Sequence, residues 1–368
     1  MKKILFAFFA LIICLAAAGC EESDSITVNF EDSQKRLFLE ERRVLGREIA
    51  ELAFDKLVNE TEKNPVTSPL TDYTLFSSKS TEQTDVLSSY TAKLGYSDDS
   101  FFSPSYAFYI KNDRVLKEDA FAGYHLYPSA TVFMTDPETS SVSRINRYIK
   151  NATSSKISAV FDTNDKTLSP NYAVISVMSF TGKWAKQYTS ENVKDGIFTD
   201  YEGVEQKVKY LCSFENYYVE CDGGYGIRKS YRGGDFDFVA LLAPDGMSIE
   251  RYVAGLTADE FMEAVLNPHF TAVNTRIPKF TATLAKEIKD ERKLPVIADE
   301  EAEYYFETVC FSVSENGTEG ASVTTANVMT SVDEEDPKTV ILNRPFLYAV
   351  IDKDTGAPLL AGIIRHVE

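Results

Sequence analysis

Chemistry-bearing residues are scarce in this chain. Its 368 residues include three histidines, five cysteines and one tryptophan. None of His125, His269 and His366 sits in an H-E-x-x-H metal motif, and neither a G-x-S-x-G elbow nor a G-x-x-x-x-G-K-[ST] phosphate loop occurs. The cluster "GGYG" at 223–226 reads as a turn. Carboxylates are so numerous that no pair of them singles out a general acid and base. The sequence therefore reads as a non-enzyme with no metal and no cofactor. Basic charge is short as well: 38 Lys and Arg against 56 Asp and Glu leave a formal net charge of -18. That balance argues against a nucleic-acid partner, whose phosphates need clustered cations. Internal repeats and low-complexity linkers are missing too, so the interleaved helix and strand patterns point to one mixed domain. A hydrophobic fraction of 44% supplies its core.

Long apolar runs are limited to the first twenty residues. Lys2 and Lys3 precede an apolar stretch from Ile4 to Ala18, which falls short of the roughly 20 residues a spanning helix needs. "AAGC" then resembles the lipobox of bacterial lipoproteins, with Leu15 two places earlier than the preferred position. The resemblance implies a signal peptide over residues 1–19, lipidation of Cys20, a polar tether over 20–32 and a folded domain over 33–368. The acidic tract Glu21, Glu22, Asp24 resembles a lipoprotein surface-export signal. The expected product is an outer-membrane lipoprotein, surface-exposed or periplasmic, monomeric and touching membrane only through its lipid. With Cys14 removed and Cys20 acylated, Cys212, Cys221 and Cys310 remain. Cys212 and Cys221 bridge if they face each other across a strand connection; as buried thiols all three act as small hydrophobes.

Periodicity gives the elements. "RRVLGREIAELAFDKLVNE" and "SSVSRINRYIKNAT" repeat apolar residues at three and four and predict helices. "TADEFMEAVL" predicts another, opened by a capping box of Thr257 and Glu260. "SYAFYIKND" and "FDFVALLAP" read as strands, and "NYAVISVMSF" as a strand buried on both faces. "FLYAVIDKDTGAPLLAGII" predicts a hairpin turned at Asp-Thr-Gly. Residues 70–100 remain ambiguous.

One segment is free of charge where charge should be common. Residues 320–332 contain no Lys, Arg, Asp, Glu, His or Pro, yet acids and a proline follow at once. Thr318, Gly320, Ser322, Thr324, Ala326, Val328 and Thr330 share one face of an extended strand, and each is small or apolar. That face is fit for burial, because it carries neither an unpaired ion nor a proline that would delete a ladder bond.

Several motifs, in order along the chain, resemble the serpin family. "SYAFYIKNDRVLKEDAF" is similar to the family's "ANRLFVQKDLKLLEEF", and "INRYIKNATSSKISAVF" to "INRWVEEKTNGKIKDLL". "VISVMSFTGKWAKQY" resembles "LVNAIYFKGKWKKPF", keeping Phe180, Gly182, Lys183 and Trp184. "RIPKF" resembles "YLPKF", "ENGTEGAS" resembles "EEGTEAAA", and "NRPFLYAVIDKDTGAPLLAGII" resembles "NRPFLFLIRDTKTGTILFLGRV". The family's shutter asparagine falls on Ser176 and its shutter histidine on Glu307. The region from 70 to 100 lacks the family pattern, and residues are missing between Phe280 and Glu307.

The resemblance implies a mixed α/β serpin fold of three β-sheets, about eight helices and an exposed reactive loop. It also implies a suicide-type inhibitor that traps a serine or cysteine endopeptidase as its acyl-enzyme. The hinge would comprise Glu315, Gly317, Thr318, Glu319, Gly320, Ala321, Ser322, Val323 and Thr324. Trp184 and Lys279 would stand at the breach, with Lys279 paired to Glu315. The scissile bond falls nominally at Ser331–Val332, or by a slip at Met329–Thr330 or Thr330–Ser331. With no Lys or Arg before it, elastase-, subtilisin-, chymotrypsin- or papain-like targets are implied. The family also contains non-inhibitory members, so a surface binding or carrier protein is the alternative.

Overall fold

Two-residue alternation and runs buried on both faces resolve into strands, and three- and four-residue recurrence into helices. The computed structural model describes residues 30–76, 86, 87, 90, 100–111, 130–135, 142–153, 155, 157–159, 172–288, 304–318 and 337–367. The body is the unit Leu39–Glu368; of the preceding unit, Met1–Phe38, only the helical start from Phe30 is described. No helix among the described residues is long and apolar enough to cross a membrane.

Helix α1 (Phe30–Asn59) buries Leu45, Ile49, Ala50, Ala53, Phe54 and Leu57 along one stripe. The strand β1 (Val66–Thr67) follows, then Pro69 at the first position of α2 (Pro69–Phe76), where its missing N–H is no loss. Part of the ambiguous stretch is thus helical. After β2 (Ser100–Lys111) and β3 (Ala130–Thr135), α3 (Val142–Ala152) turns Ile145 and Ile149 inward. They pack on Ala173, Ile175 and Val177 of β4 (Tyr172–Lys183). The other face of β4 puts Val174, Met178 and Phe180 into the main core. Burial of both faces explains its continuous apolar run, each side chain contributing roughly 1.5–3 kcal/mol.

Next come β5 (Val193–Thr199), β6 (Glu205–Cys221), β7 (Gly224–Ser230) and β8 (Phe236–Leu242). Helices α4 (Ile249–Gly255) and α5 (Ala258–Leu266) follow, the second closed at its start by the capping box of Thr257 and Glu260. The chain ends with β9 (His269–Pro278), β10 (Phe280–Ile288), β11 (Tyr304–Val313), β12 (Gly317–Thr318), β13 (Lys338–Ile341), β14 (Phe346–Asp352) and β15 (Pro358–Ile364). Gly356, at φ +75°, makes the hairpin turn between the last two.

Among the described residues two sheets form, where three were expected. A 6-stranded sheet has the order β10-β11-β4-β2-β3, with β12 added to β4. A 9-stranded sheet has the order β1-β15-β14-β8-β7-β6-β9-β13, with β5 on β6. The cause of the merger is β6, whose 17 residues pair with β5, β7 and β9, with a register shift between Glu215 and Tyr217 in the β9 pairing. One bulged strand serves two ladders and joins what would otherwise be separate sheets. Among the described residues there are five α-helices rather than about eight.

Cys212 and Cys221 both lie on β6, so nine extended steps of about 3.3 Å hold them roughly 30 Å apart. A disulfide spans less than 7 Å between Cα atoms, and all three thiols are free. The bridging alternative fails because no strand connection lies between the two residues.

Candidate functional site

Strands β11 and β4 run parallel at the middle of the 6-stranded sheet, in register from Tyr304 opposite Ala173 to Cys310 opposite Ser179. Beyond that point the pairing ends. The chain leaves β11, turns through Glu315 and Asn316, and returns as β12 between the two strands. Ser314 and Gly317 face each other across this turn, and β12 pairs antiparallel with β4, Gly317 opposite Lys183 and Thr318 opposite Gly182. Gly317 sits at φ +129°, and a Cβ there would lie 2.0 Å from the Gly182 carbonyl oxygen. No other residue type fits. Gly182 is itself confined, since a Cβ would come within 2.8 Å of the Phe180 and Tyr231 rings.

Trp184 fastens the turn. Its indole Nε1 donates to the Ser314 carbonyl at 2.9 Å, and its backbone N–H donates to the Asn316 carbonyl at 3.2 Å. The ring stacks on Tyr231 at 4.5 Å. The Tyr231 hydroxyl in turn shares a 2.9 Å hydrogen bond with Thr318 Oγ1, so the Thr318 side chain is fully buried. The Lys279 ammonium meets Glu315 Oε1 at 2.8 Å. Burial raises the Glu315 carboxyl, but its hydrogen bond and charge contact with Lys279 win and leave it below its ordinary value. The expected grouping of Trp184, Lys279, Glu315, Gly317 and Thr318 is therefore assembled. Glu319, Gly320, Ala321, Ser322, Val323, Thr324, Met329, Thr330, Ser331, Val332 and Cys20 lie outside the described residues.

Beneath Trp184 lies a cation that sequence reading missed. Lys229 is 1% exposed, paired with Glu215 and 4.7 Å from the Tyr188 ring centroid. Burial opposes its charge, but Glu215 and Tyr188 outweigh that and raise its pKa. Alternation in "GYGIRKSY" was the available signal, and a lysine in a strand reads by default as solvent-facing.

A second charged group lies lower on the same strand pair, where Glu307 is opposite Ser176. Lys56 of α1 donates to Glu307 Oε2 at 2.7 Å and also to Asp72 of α2. Thr67 Oγ1 and the Ser68 N–H donate to Glu307 Oε1 at 3.3 and 3.4 Å. The Tyr305 hydroxyl donates to Asp72 Oδ1 at 2.7 Å and lies 2.9 Å from Ser176 Oγ. The two family substitutions, Ser176 and Glu307, are thus absorbed by a lysine and an aspartate from two helices. Neither was legible, because Lys56 lies 251 residues from Glu307 and Asp72 lies 233 residues from Tyr305 in sequence.

No group of three His, Cys, Asp or Glu among the described residues could hold a metal ion. What the site offers is backbone: two strands that stop pairing, with the start of a third between them.

Comparison with known proteins agrees with this geometry. A family model described as "Serpin (serine protease inhibitor)" matches residues 54–291 and 301–367. The chain is 26% identical over 264 residues to the alpha-1-antiproteinase of Callosciurus caniceps, covering 67% of this chain and 62% of that protein. The match therefore spans less than two thirds of that relative. The crystal structure of tengpin, a thermophilic serpin, in its native state superposes with a TM-score of 0.74 at 22% identity, over 95% of this chain and 96% of tengpin. Thyroxine-binding globulin in complex with thyroxine gives a TM-score of 0.70 at 14% identity, over 88% of this chain and 99% of that one. Likeness at these identities shows the fold alone.

Proposed function

The chain belongs to the serpin family, whose members are mostly protease inhibitors, and on that premise we propose that it is a single-use inhibitor of a serine or cysteine endopeptidase. The protease attacks the loop nominally at Ser331–Val332 and becomes an ester- or thioester-linked acyl-enzyme. The severed N-terminal side of the loop then enters between β4 and β11. The observation that carries this reading is β12, two residues already paired on β4 with Thr318 buried in the opening.

The register of β12 states where the rest would go. Extending Gly317 opposite Lys183 brings Thr324 beside Ser176, and extending Ser314 opposite Gly317 brings the same Thr324 beside Glu307. Since Glu307 and Ser176 are partners, the two counts agree. Thr318, Gly320, Ser322 and Thr324 would all turn to the main core, the face read as buriable. Some 15 inserted residues at about 3.3 Å each carry the attached protease about 50 Å. About a dozen ladder hydrogen bonds at roughly 1 kcal/mol net supply a driving force comparable to a protease's own stability. A displacement of about an ångström at the catalytic triad suffices to stop deacylation.

The test is incubation with an elastase- or subtilisin-like protease. The expected product is a covalent complex that survives boiling detergent on a gel. Clean loop cleavage with protease activity undiminished would overturn the reading. By the same reading Cys20 bears the lipid of an outer-membrane lipoprotein, and labelled palmitate should enter the protein but not its Cys20→Ala variant.

A further inference from the structure

For a strand to enter, β11 must part from β4, and the charges under that seam do not balance. Lys56 is in hydrogen-bonding contact with both Asp72 and Glu307, and the two carboxylates are each 1% exposed. Among the described residues, every neighbouring element adds only neutral or spent groups. From β11 comes the Tyr305 hydroxyl, from β4 Ser176, and from β1 and the start of α2 Thr67 and Ser68. Tyr106 of β2 faces Asp72 and is neutral. Lys286, opposite Glu307 on β10, is paired with Glu60. One cation against two buried carboxylates leaves one negative charge in excess, and an uncompensated buried charge is costly unless it takes up a proton or meets water. Burial and the nearby Asp72 push the Glu307 carboxyl up to about 7, against the pull of Lys56.

We propose that Lys56, Asp72 and Glu307 form a proton-operated latch on the seam between β11 and β4. With Glu307 protonated the cluster is neutral and the seam stays shut. Ionisation passes the proton to solvent and restores the excess charge, which is relieved when the strands part and water reaches the carboxylate. The inference rests on the insertion reading above. The sign follows from linkage. A carboxyl whose pKa is raised in the closed form stabilises that form below the ordinary carboxylate value, and loses this contribution as pH climbs through about 7. If parting returns Glu307 to its ordinary value, opening should be about tenfold more favourable at pH 8 than at pH 6.

The probe is a synthetic peptide with the sequence of residues 318–330, annealed into the intact protein and followed by the gain in thermal stability. Annealing should quicken about tenfold from pH 6 to pH 8. Glu307→Gln should be slow and flat across that range, and Asp72→Asn, which removes the excess charge from the other side, should also be flat. A Glu307→Gln protein that kept the wild-type profile would overturn the latch. Annealing independent of pH in the wild type would overturn it alone. Failure to anneal at any pH would remove the insertion reading and the latch together.

Discussion

Gly317 carries the chain through a backbone conformation that side-chain-bearing residues avoid, and does so against the Gly182 carbonyl. Both constraints bear on the same atom. Gly317→Ala should therefore expel β12 from β4 rather than be absorbed locally, at a cost of about 1–3 kcal/mol for the backbone conformation alone. Loss of protection of the Thr318 amide in hydrogen exchange would report it. Lys229 sets a different problem, because its charge is matched by Glu215 inside the protein. Glu215→Ala should lower stability by about 3–5 kcal/mol in denaturant unfolding, whereas Lys279→Ala at the more exposed pair should cost less than about 1 kcal/mol. These two lysines also mark what a sequence reveals at this scale. Lys279 was legible because a family motif flanks it; Lys229 was not, since nothing near it in sequence indicates that Tyr188, Trp184 and Glu215 converge there.

Elements whose signals are local were read correctly. α5 announces itself by Thr257 and Glu260, whose side chain and backbone exchange hydrogen bonds at 3.2 Å, and β4 by an unbroken apolar run. β6 was hidden. Its faces alternate between core and solvent, but Ser213, Glu215 and Asn216 interrupt the pattern near the register shift, so one long strand reads as two short ones. The bridging alternative for Cys212 and Cys221 needed a strand connection between them. In the structure the thiols sit at distant points of one strand. Unfolding without reductant should accordingly expose Cys212, Cys221 and Cys310 to alkylation, and a mass increase of fewer than three alkyl groups would contradict the described β6. The loop belongs to the same scale: if it enters as a strand in the register of β12, Thr324→Arg puts a cation beside Ser176 and under the sheet. That variant should be cleaved as a substrate with the protease released active, while Thr325→Arg, on the opposite face, should still form the detergent-stable complex.

At the scale of the whole molecule, the question is why a protein should leave its central strands unpaired beyond Cys310 and Ser179. Unmade ladder bonds and a buried cluster with one negative charge in excess both raise the free energy of the closed form. On the proposed insertion reading, they belong to a fold held short of its lowest state, with persistence set by a barrier. On that reading the barrier would have identifiable parts: Trp184 and the Glu315–Lys279 pair at the upper end, and the hydrogen-bonded seam of Glu307 with Ser68, Thr67 and Lys56 lower down. Cutting the chain between Thr318 and Lys338 would remove the constraint that ties the two together. If the relaxed form gains about a dozen hydrogen bonds, its unfolding temperature should rise by tens of degrees rather than fall, as it would for an ordinary nicked loop. Differential scanning calorimetry before and after limited subtilisin digestion measures this directly. An unfolding temperature that stays put or drops would mean the strands do not part for the loop, and the pairing of β12 on β4 would then be a plain structural turn.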